Sequence, residues 1–227
     1  MTKRLIIARH GNTFLPEQTP TRVGRNTDLP LVEEQRGRAI GKYLLSRGIA
    51  LDKAYAAPLK RTMGTAQLAL EELDSDLNII PIDAFVEVDY GPDENKTENE
   101  VMMRLGREYV KSDQLTIGSE DEYLKYGKSI LQQWDAEAIV PQGWQVDTQQ
   151  IIEAWHSFAA EIGEGETVLL CSSNGIIRFA PHILAQPYDE FCQQHEIKVA
   201  TGSVSIFEEQ NGKWMCSEWN SKPYKDF

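Results

Sequence analysis

The chain has 227 residues, enough for one large domain or a domain with an insertion, and it can bury a hydrophobic core without disulfide staples. Its 35 acidic and 23 basic residues give a net charge of −12, which argues against a nucleic-acid backbone or an anionic membrane surface as a partner of the whole molecule. Three widely spaced cysteines, Cys171, Cys192 and Cys216, form no metal-ligand pattern, so we expect reduced thiols in a cytoplasmic protein that uses no metal or other cofactor.

The predicted elements alternate between strands and helices. The run RLIIA (4–8) is apolar and β-branched, as in a strand buried on both faces of a parallel sheet, and it is too short for a secretory signal. Helical periodicity follows in residues 33–48, which end at Gly48, and in residues 58–73, which begin at Pro58. This alternation indicates an α/β fold.

The middle of the chain is acidic and polar around DYGPDENKTENE (89–100) and weakly helical from 122 to 140. We interpret residues from about 82 to 143 as an insertion that caps the sheet. No later stretch approaches membrane-spanning length.

The last third of the chain returns to the alternating pattern. Residues 147–163 predict a helix that ends at Gly163, and TVLLCS (167–172) predicts a second buried strand. Near the end, SVSIFEEQNGKWMCSEW (203–219) alternates around Asn211-Gly212, which predicts a two-stranded hairpin.

The first predicted strand ends on Arg9 and His10, where ligands bind in open α/β sheets. A pair of this kind often only fixes a loop. Here, however, Gly11 allows the backbone to approach a ligand, and the short polar side chains of Asn12 and Thr13 follow. We therefore interpret this segment as the start of an anion-binding site.

Several segments, in this order along the chain, resemble the histidine phosphatase superfamily, the phosphoglycerate mutase-like enzymes. They are RHGNT (9–13), GRNTDLPL (24–31), YAAPLKRTMGTA (55–66), VEVDYG (86–91) and TVLLCSSNGIIR (167–178). Each segment alone is a weak signal, and their common order and spacing carry the resemblance.

The resemblance implies a three-layer sandwich, in which a mostly parallel central sheet has helices on both faces. It implies a single histidine phosphatase-like domain over residues 1–227, with the capping insertion over the carboxyl ends of the strands. It also implies a reaction through a phosphohistidine intermediate, which divides one difficult displacement into two.

The resemblance also assigns the catalytic residues. His10 matches the nucleophile, and Arg9 and Arg61 match the two arginines that clamp the phosphoryl group. The leaving alkoxide needs a proton, and the family's glutamate falls on Glu87, with Asp89 as the reserve candidate.

The family's second histidine is missing. In a pattern like SHGGVIR it lies five residues before an arginine, and counting back from Arg178 reaches Ser173. Asn174 is an alternative shifted by one residue, and neither side chain carries a charge. The other residues expected to bind the phosphate are Asn12, Thr13 and Arg22.

The preferred function is a metal-independent phosphomonoester phosphatase of reduced activity. A rival hypothesis is a non-catalytic phosphoryl-ligand binder with a sensing or scaffolding role. A phosphoglycerate mutase is less favoured, because Pro16 stands where close mutase relatives place a phosphate-contacting asparagine. We expect a small phosphorylated metabolite as partner, no nucleic acid and no membrane, with a homodimer left open.

Overall fold

The structure is a computed structural model, and it describes residues 2–115 and 119–227. The chain divides into two compact units. The first comprises Met1–Leu15, Asp28–Glu87 and Gln149–Phe227, and the second comprises Pro16–Thr27 and Val88–Thr148. The second unit thus contains most of the predicted insertion together with a short segment from near the start of the chain.

A six-stranded sheet forms the centre of the first unit. Its strands are β1 (Lys3–Arg9), β2 (Lys53–Ala56), β3 (Ile79–Pro81), β4 (Thr167–Ser172), β5 (Val204–Gln210) and β6 (Lys213–Ser221). The strand order is β3-β2-β4-β1-β5-β6. The first four strands in this order are parallel, whereas β5 and β6 are antiparallel to their neighbours. The mostly parallel sheet is confirmed.

Seven α-helices occur in the described residues. They are α1 (Gln35–Ser46), α2 (Lys60–Glu72), α3 (Glu98–Ser112), α4 (Glu120–Glu137), α5 (Thr148–Glu161), α6 (Asn174–Ile177) and α7 (Tyr188–Gln194). Both ends of α1, α2 and α5 lie within a few residues of the bounds predicted from the sequence. No helix in the described part of the chain combines the length and the apolar character that crossing a membrane requires.

Helices pack on both faces of the sheet because alternate strand residues point to opposite sides. Ile6 of β1 and Leu169 of β4 share one buried cluster with Ile40 and Leu44 of α1 and with Leu70 of α2. On the other face, the ring of Tyr55 from β2 packs edge-on against Phe158 of α5, with 5.1 Å between centroids. The predicted α/β sandwich is confirmed.

The predicted hairpin joins β5 to β6. Asn211 and Gly212 have φ angles of 55° and 77°, the left-handed pair that a two-residue turn requires. The three cysteine thiols are all free.

The second unit is built on the antiparallel pair of α3 and α4. Both helices begin with a capping box, formed by Thr97 with Glu100 and by Ser119 with Glu122. The sequence analysis predicted α4 but not α3.

A buried ion pair and an aromatic cluster complete this unit. Asp93 is fully buried, and Arg104 pairs with its carboxylate, which also accepts the indole N–H of Trp144 at 2.7 Å. The ring of Trp144 in turn packs against Tyr90 and Trp134.

Candidate active site

The candidate site lies at the carboxyl ends of β1 and β4. These strands are parallel, and Arg9 is in register with Ser172. The His10 N–H donates to the Ser172 carbonyl at 3.1 Å. The parallel register therefore places His10 beside Ser173, the residue that follows β4, although the two are far apart in the sequence.

His10 is held in one orientation and kept neutral. Only 7% of its surface is exposed, and its Nδ1 lies 2.7 Å from the Gly11 carbonyl oxygen. Because a carbonyl can only accept, Nδ1 carries the proton and Nε2 keeps its lone pair. Burial lowers the pKa of His10 well below 6.5, and the charges of Arg9 and Arg61 lower that pKa further.

Arg61 reaches the site from the first turn of α2 and is fully buried. Thr65, one turn later on the same face, links this helix to the loop after β1: its hydroxyl accepts the Gly11 N–H at 3.0 Å and donates to the Arg61 carbonyl at 2.7 Å. The same threonine thus fixes the start of the His10 loop against the helix that carries Arg61.

A backbone carbonyl orients the side chain of Arg9. Its Nη1 donates to the carbonyl of Val199 at 2.5 Å, in the loop that precedes β5. Since Arg9 and Arg61 both lower the pKa of His10, the structure brings both predicted clamp residues close to the predicted nucleophile.

Glu87 lies against the loop after β4. It is 5% exposed, and its Oε2 accepts the Gly175 N–H at 3.3 Å. Nearby, the Ser172 hydroxyl donates to the Phe85 carbonyl at 2.8 Å, which ties the glutamate's segment to the end of β4. The reserve candidate Asp89 belongs to the second unit, where it accepts the Gly91 N–H at 2.7 Å.

Ser173 and Asn174 differ in what their side chains do. Ser173 is fully buried, and its hydroxyl has no hydrogen-bond partner in residues 2–115 and 119–227. The Oδ1 atom of Asn174 accepts the Val199 N–H at 2.9 Å. Ser173, the residue that the sequence analysis aligns with the missing histidine, thus has an unsatisfied hydroxyl, whereas the side-chain oxygen of Asn174 already has a partner.

The other three predicted phosphate ligands are Asn12, Thr13 and Arg22, and their contacts differ. The Oδ1 atom of Asn12 accepts a hydrogen bond from the Thr201 hydroxyl at 2.7 Å, and Thr13 follows it as a half-buried residue. Arg22 belongs to the second unit, where its Nη2 pairs with Glu98 at 2.7 Å.

Two of the remaining three histidines pack against aromatic rings. His182 stacks on Tyr188 with 3.8 Å between ring centroids, and His195 lies 4.4 Å from the ring of Phe191. No group of three or more histidine, cysteine, aspartate or glutamate side chains in the described ranges is arranged to hold a metal ion.

Sequence reasoning missed two parts of the site. Thr65 lies within the family segment 55–66 without an assigned role, and the loop from Val199 to Ser203 carries no motif. Both act through hydrogen bonds between distant parts of the chain, and no local pattern indicates such bonds.

A family model for the histidine phosphatase superfamily (branch 1) matches residues 5–135, more than half of the chain. The chain belongs to the histidine phosphatase superfamily. The match covers the segments that carry His10, Arg61 and Glu87, so the resemblance seen in the sequence is confirmed.

Two curated relatives each match about half of this chain. The 2,3-bisphosphoglycerate-dependent phosphoglycerate mutase of a Methylobacterium species is 33% identical over 111 residues, which is 48% of this chain and 53% of the relative. The enzyme of the same name from Bartonella tribocorum is 32% identical over 112 residues, or 49% and 54% of the two chains. The matches thus span about half the length of these relatives.

Solved structures match nearly the whole chain at lower identity. A phosphoglycerate mutase from Bacillus anthracis superposes with a TM-score of 0.71 at 22% identity, covering 98% of this chain and 95% of that one. A mycobacterial glucosyl-3-phosphoglycerate phosphatase has a TM-score of 0.67 at 17% identity, covering 97% and 100%. At this identity the likeness establishes the phosphoglycerate mutase-like fold.

Proposed function

We propose that the protein is a metal-independent phosphomonoester phosphatase that works through a phosphohistidine on His10. The observation that carries the proposal is the state of that imidazole. Its Nδ1 is hydrogen-bonded to the Gly11 carbonyl oxygen. The lowered pKa of His10 keeps Nε2 unprotonated at neutral pH. A neutral imidazole close to two arginines has the charge and orientation that nucleophilic attack on phosphorus requires.

In the first step, the Nε2 lone pair attacks the phosphorus as the bond to the leaving oxygen breaks. Charge on the equatorial oxygens is compensated by the guanidinium groups of Arg9 and Arg61, whose planar forks suit phosphate oxygens. The carboxyl group of Glu87 gives its proton to the departing alkoxide. The products of this step are the free alcohol, phospho-His10 and the Glu87 carboxylate.

In the second step, water attacks the phosphorus of phospho-His10. Glu87, now ionised, accepts a proton from that water, and the electron pair of the breaking P–N bond returns to Nε2. Inorganic phosphate leaves, and both residues regain their starting states. No nucleotide or metal takes part in this scheme, because the arginines compensate the charge.

Ser173 makes the proposed enzyme a weakened one. A charged imidazole contributes about 1.5–3 kcal/mol through its hydrogen bond to a phosphoryl oxygen, whereas a neutral hydroxyl contributes about 1 kcal/mol. We propose a small phosphorylated metabolite as the substrate class and the cytoplasm as the location, the latter in accord with three free thiols.

A non-catalytic binder of phosphoryl ligands is the second candidate, and Ser173 is the observation that favours it. A pure binder, however, has no need of a carboxylate held against the site at Glu87. Mutase activity ranks third, although the curated relatives carry that name, because Pro16 stands at a position where those enzymes are expected to hold the phosphate through asparagine.

The test is to trap the intermediate with an aryl phosphate that carries a radiolabelled phosphoryl group. Brief exposure and quenching should leave acid-labile, base-stable label on the unmodified protein. His10→Ala should remove the label, since its Nε2 forms the bond. His195→Ala is the matched control and should retain it. Label that persists on the His10 variant would contradict the assignment.

The binder hypothesis predicts a different result in the same experiment. It predicts no release of the aryl alcohol and no label, while inorganic phosphate still raises the melting temperature by binding the native state. Turnover that a chelator leaves unchanged, and that Arg61→Ala nearly abolishes, supports the phosphatase.

A further inference from the structure

Asn174 is connected to Arg9 through one residue. The Val199 N–H donates to Asn174 Oδ1 at 2.9 Å, and the Val199 carbonyl accepts from Arg9 Nη1 at 2.5 Å. Both contacts lie in the first unit, at the carboxyl ends of β1 and β4. The two polar groups of Val199 thus join the residue after Ser173 to the guanidinium beside His10.

The loop that carries Val199 is also attached directly to the His10 segment. The Gly202 N–H is shared between the carbonyls of Arg9 and His10, at 3.0 Å from each. The Arg9 N–H in turn donates to the Ser203 carbonyl at 3.0 Å. These bonds fix the backbone of Arg9, and the Val199 carbonyl contacts its guanidinium group.

The position of Asn174 is occupied by glycine in the SHGGVIR-like pattern that the sequence otherwise follows. Glycine has no side-chain acceptor, so the bond to the Val199 N–H depends on the asparagine present in this chain. The departure at Asn174 is therefore adjacent to the departure at Ser173, and the two have opposite consequences. Serine in place of histidine removes a charged hydrogen-bond donor. Asparagine in place of glycine adds a brace, which is the hydrogen bond that holds Val199.

We propose that Asn174 is a positioning residue for Arg9 and acts by holding Val199 in place. The inference rests on the proposed function, because it gives Arg9 the task of clamping a phosphoryl group. Asn174 itself does not contact the phosphate in this assignment. A long, flexible arginine binds best when its fork is already aimed, so losing the brace weakens the clamp without removing its charge.

The primary variant is Asn174→Ala, which deletes the acceptor. We expect kcat/KM for an aryl phosphate to fall roughly tenfold and the affinity for inorganic phosphate to fall in parallel, since misplacement of a site group by about 1 Å can cost 10²-fold. The matched control is Asp52→Ala. Asp52 Oδ2 accepts the Thr167 N–H at 2.8 Å, a side-chain bond of the same kind at the opposite end of the sheet. This control should lose stability and keep both constants.

A double-mutant cycle separates positioning from a general loosening of the fold. Asn174→Ala is combined with Arg9→Lys and, separately, with Arg61→Lys, and the phosphate dissociation constant is measured for each protein by thermal shift. If Asn174 acts through Arg9, its substitution should add little to Arg9→Lys but should still weaken binding roughly tenfold beside Arg61→Lys. Equal losses in both backgrounds would overturn the inference.

The outcome also separates this inference from the proposed function. Normal turnover together with unchanged phosphate binding in Asn174→Ala overturns the positioning role and leaves the phosphatase standing. An unmodified protein that neither turns over an aryl phosphate nor binds phosphate overturns both.

Discussion

The Ser173 hydroxyl is fully buried and has no hydrogen-bond partner in the described residues. A buried polar group left unsatisfied destabilises a protein by about 1–3 kcal/mol. Ser173 lies beside the His10 segment, because His10 donates its backbone N–H to the carbonyl of Ser172. An unsatisfied donor at this place is the state expected of a group that finds its acceptor in a ligand.

Ser173→Ala should therefore change stability and activity in opposite directions. Removing the unsatisfied hydroxyl should raise the free energy of unfolding of the ligand-free protein by about 1 kcal/mol. Turnover of an aryl phosphate should fall, because one donor to the phosphoryl group is lost. Denaturant unfolding and steady-state kinetics measure the two effects.

A second substitution at this position, Ser173→His, restores the family's residue. Ser173→His should raise turnover about tenfold if it regains about 1.4 kcal/mol of charge-assisted hydrogen bonding. Ser173→Leu is the control for bulk without a donor. A Ser173→Ala variant that is less stable than the parent and equally active would contradict the role given to the hydroxyl.

Among the elements, the α3–α4 pair depends on two glycines. A Cβ added at Gly106 would overlap the carbonyl oxygen of Tyr123, and one added at Gly127 would overlap that of Met102. The reciprocal positions show that the two antiparallel helices meet backbone to backbone. The glycines, rather than interlocking side chains, set their separation.

Gly106→Ala should destabilise the protein by about 3 kcal/mol, because the added methyl group forces apart two helices that have no flexible side chain to yield. Gly64→Ala, in α2, is the matched control. Its added Cβ would meet only Leu31, at 3.4 Å, so the higher helix propensity of alanine should make it neutral or stabilising by about 0.5–1 kcal/mol. Thermal or urea unfolding compares the two. Equal stabilities would show that the helices can separate freely.

Elements with a local apolar signature were predictable from the sequence. RLIIA and TVLLCS became β1 and β4, and Asn211-Gly212 became the predicted turn. Helix α3 was missed because its start is acidic and polar. Its capping box was nevertheless present as Thr97-x-x-Glu100, and that pattern could have located the helix.

The candidate site likewise contains residues that a local sequence pattern marks and residues that no pattern marks. Residues with a motif, such as His10, Arg61 and Glu87, can be proposed from the sequence because the family's spacing marks them. The brace from Asn174 to Val199 could not, since it joins the start of α6 to a loop without pattern. Such contacts follow from the packed fold and leave no periodicity in the sequence.

For the molecule as a whole, the pKa of His10 connects the candidate site to the free energy of unfolding. The chain carries a net charge of −12, yet the charges that lower the pKa of His10 are those of the two arginines beside it. Folding thus places an imidazole where protonation is unfavourable both because it is buried and because cations surround it. The same surroundings that keep His10 neutral make the native state sensitive to acid.

The sign of that dependence follows from the direction of the shift. His10 titrates near its usual value of about 6.5 in the unfolded chain and well below it in the folded protein, so the unfolded state binds more protons between the two values. Its contribution to stability is complete above pH 6.5 and is lost as the pH falls through this window. Each unit of pH should lower the free energy of unfolding by up to about 1.4 kcal/mol through this residue.

Urea unfolding of the parent and of His10→Gln between pH 7 and pH 5 tests this expectation. The variant should show the shallower decline, because glutamine takes up no proton in either state. His182, whose pKa burial also lowers, is present in both proteins and contributes to both curves alike. Parallel curves would mean that folding leaves the pKa of His10 at its ordinary value. A parent curve that declines less steeply than that of the variant would mean that the folded protein favours the protonated imidazole, which has no lone pair with which to attack phosphorus.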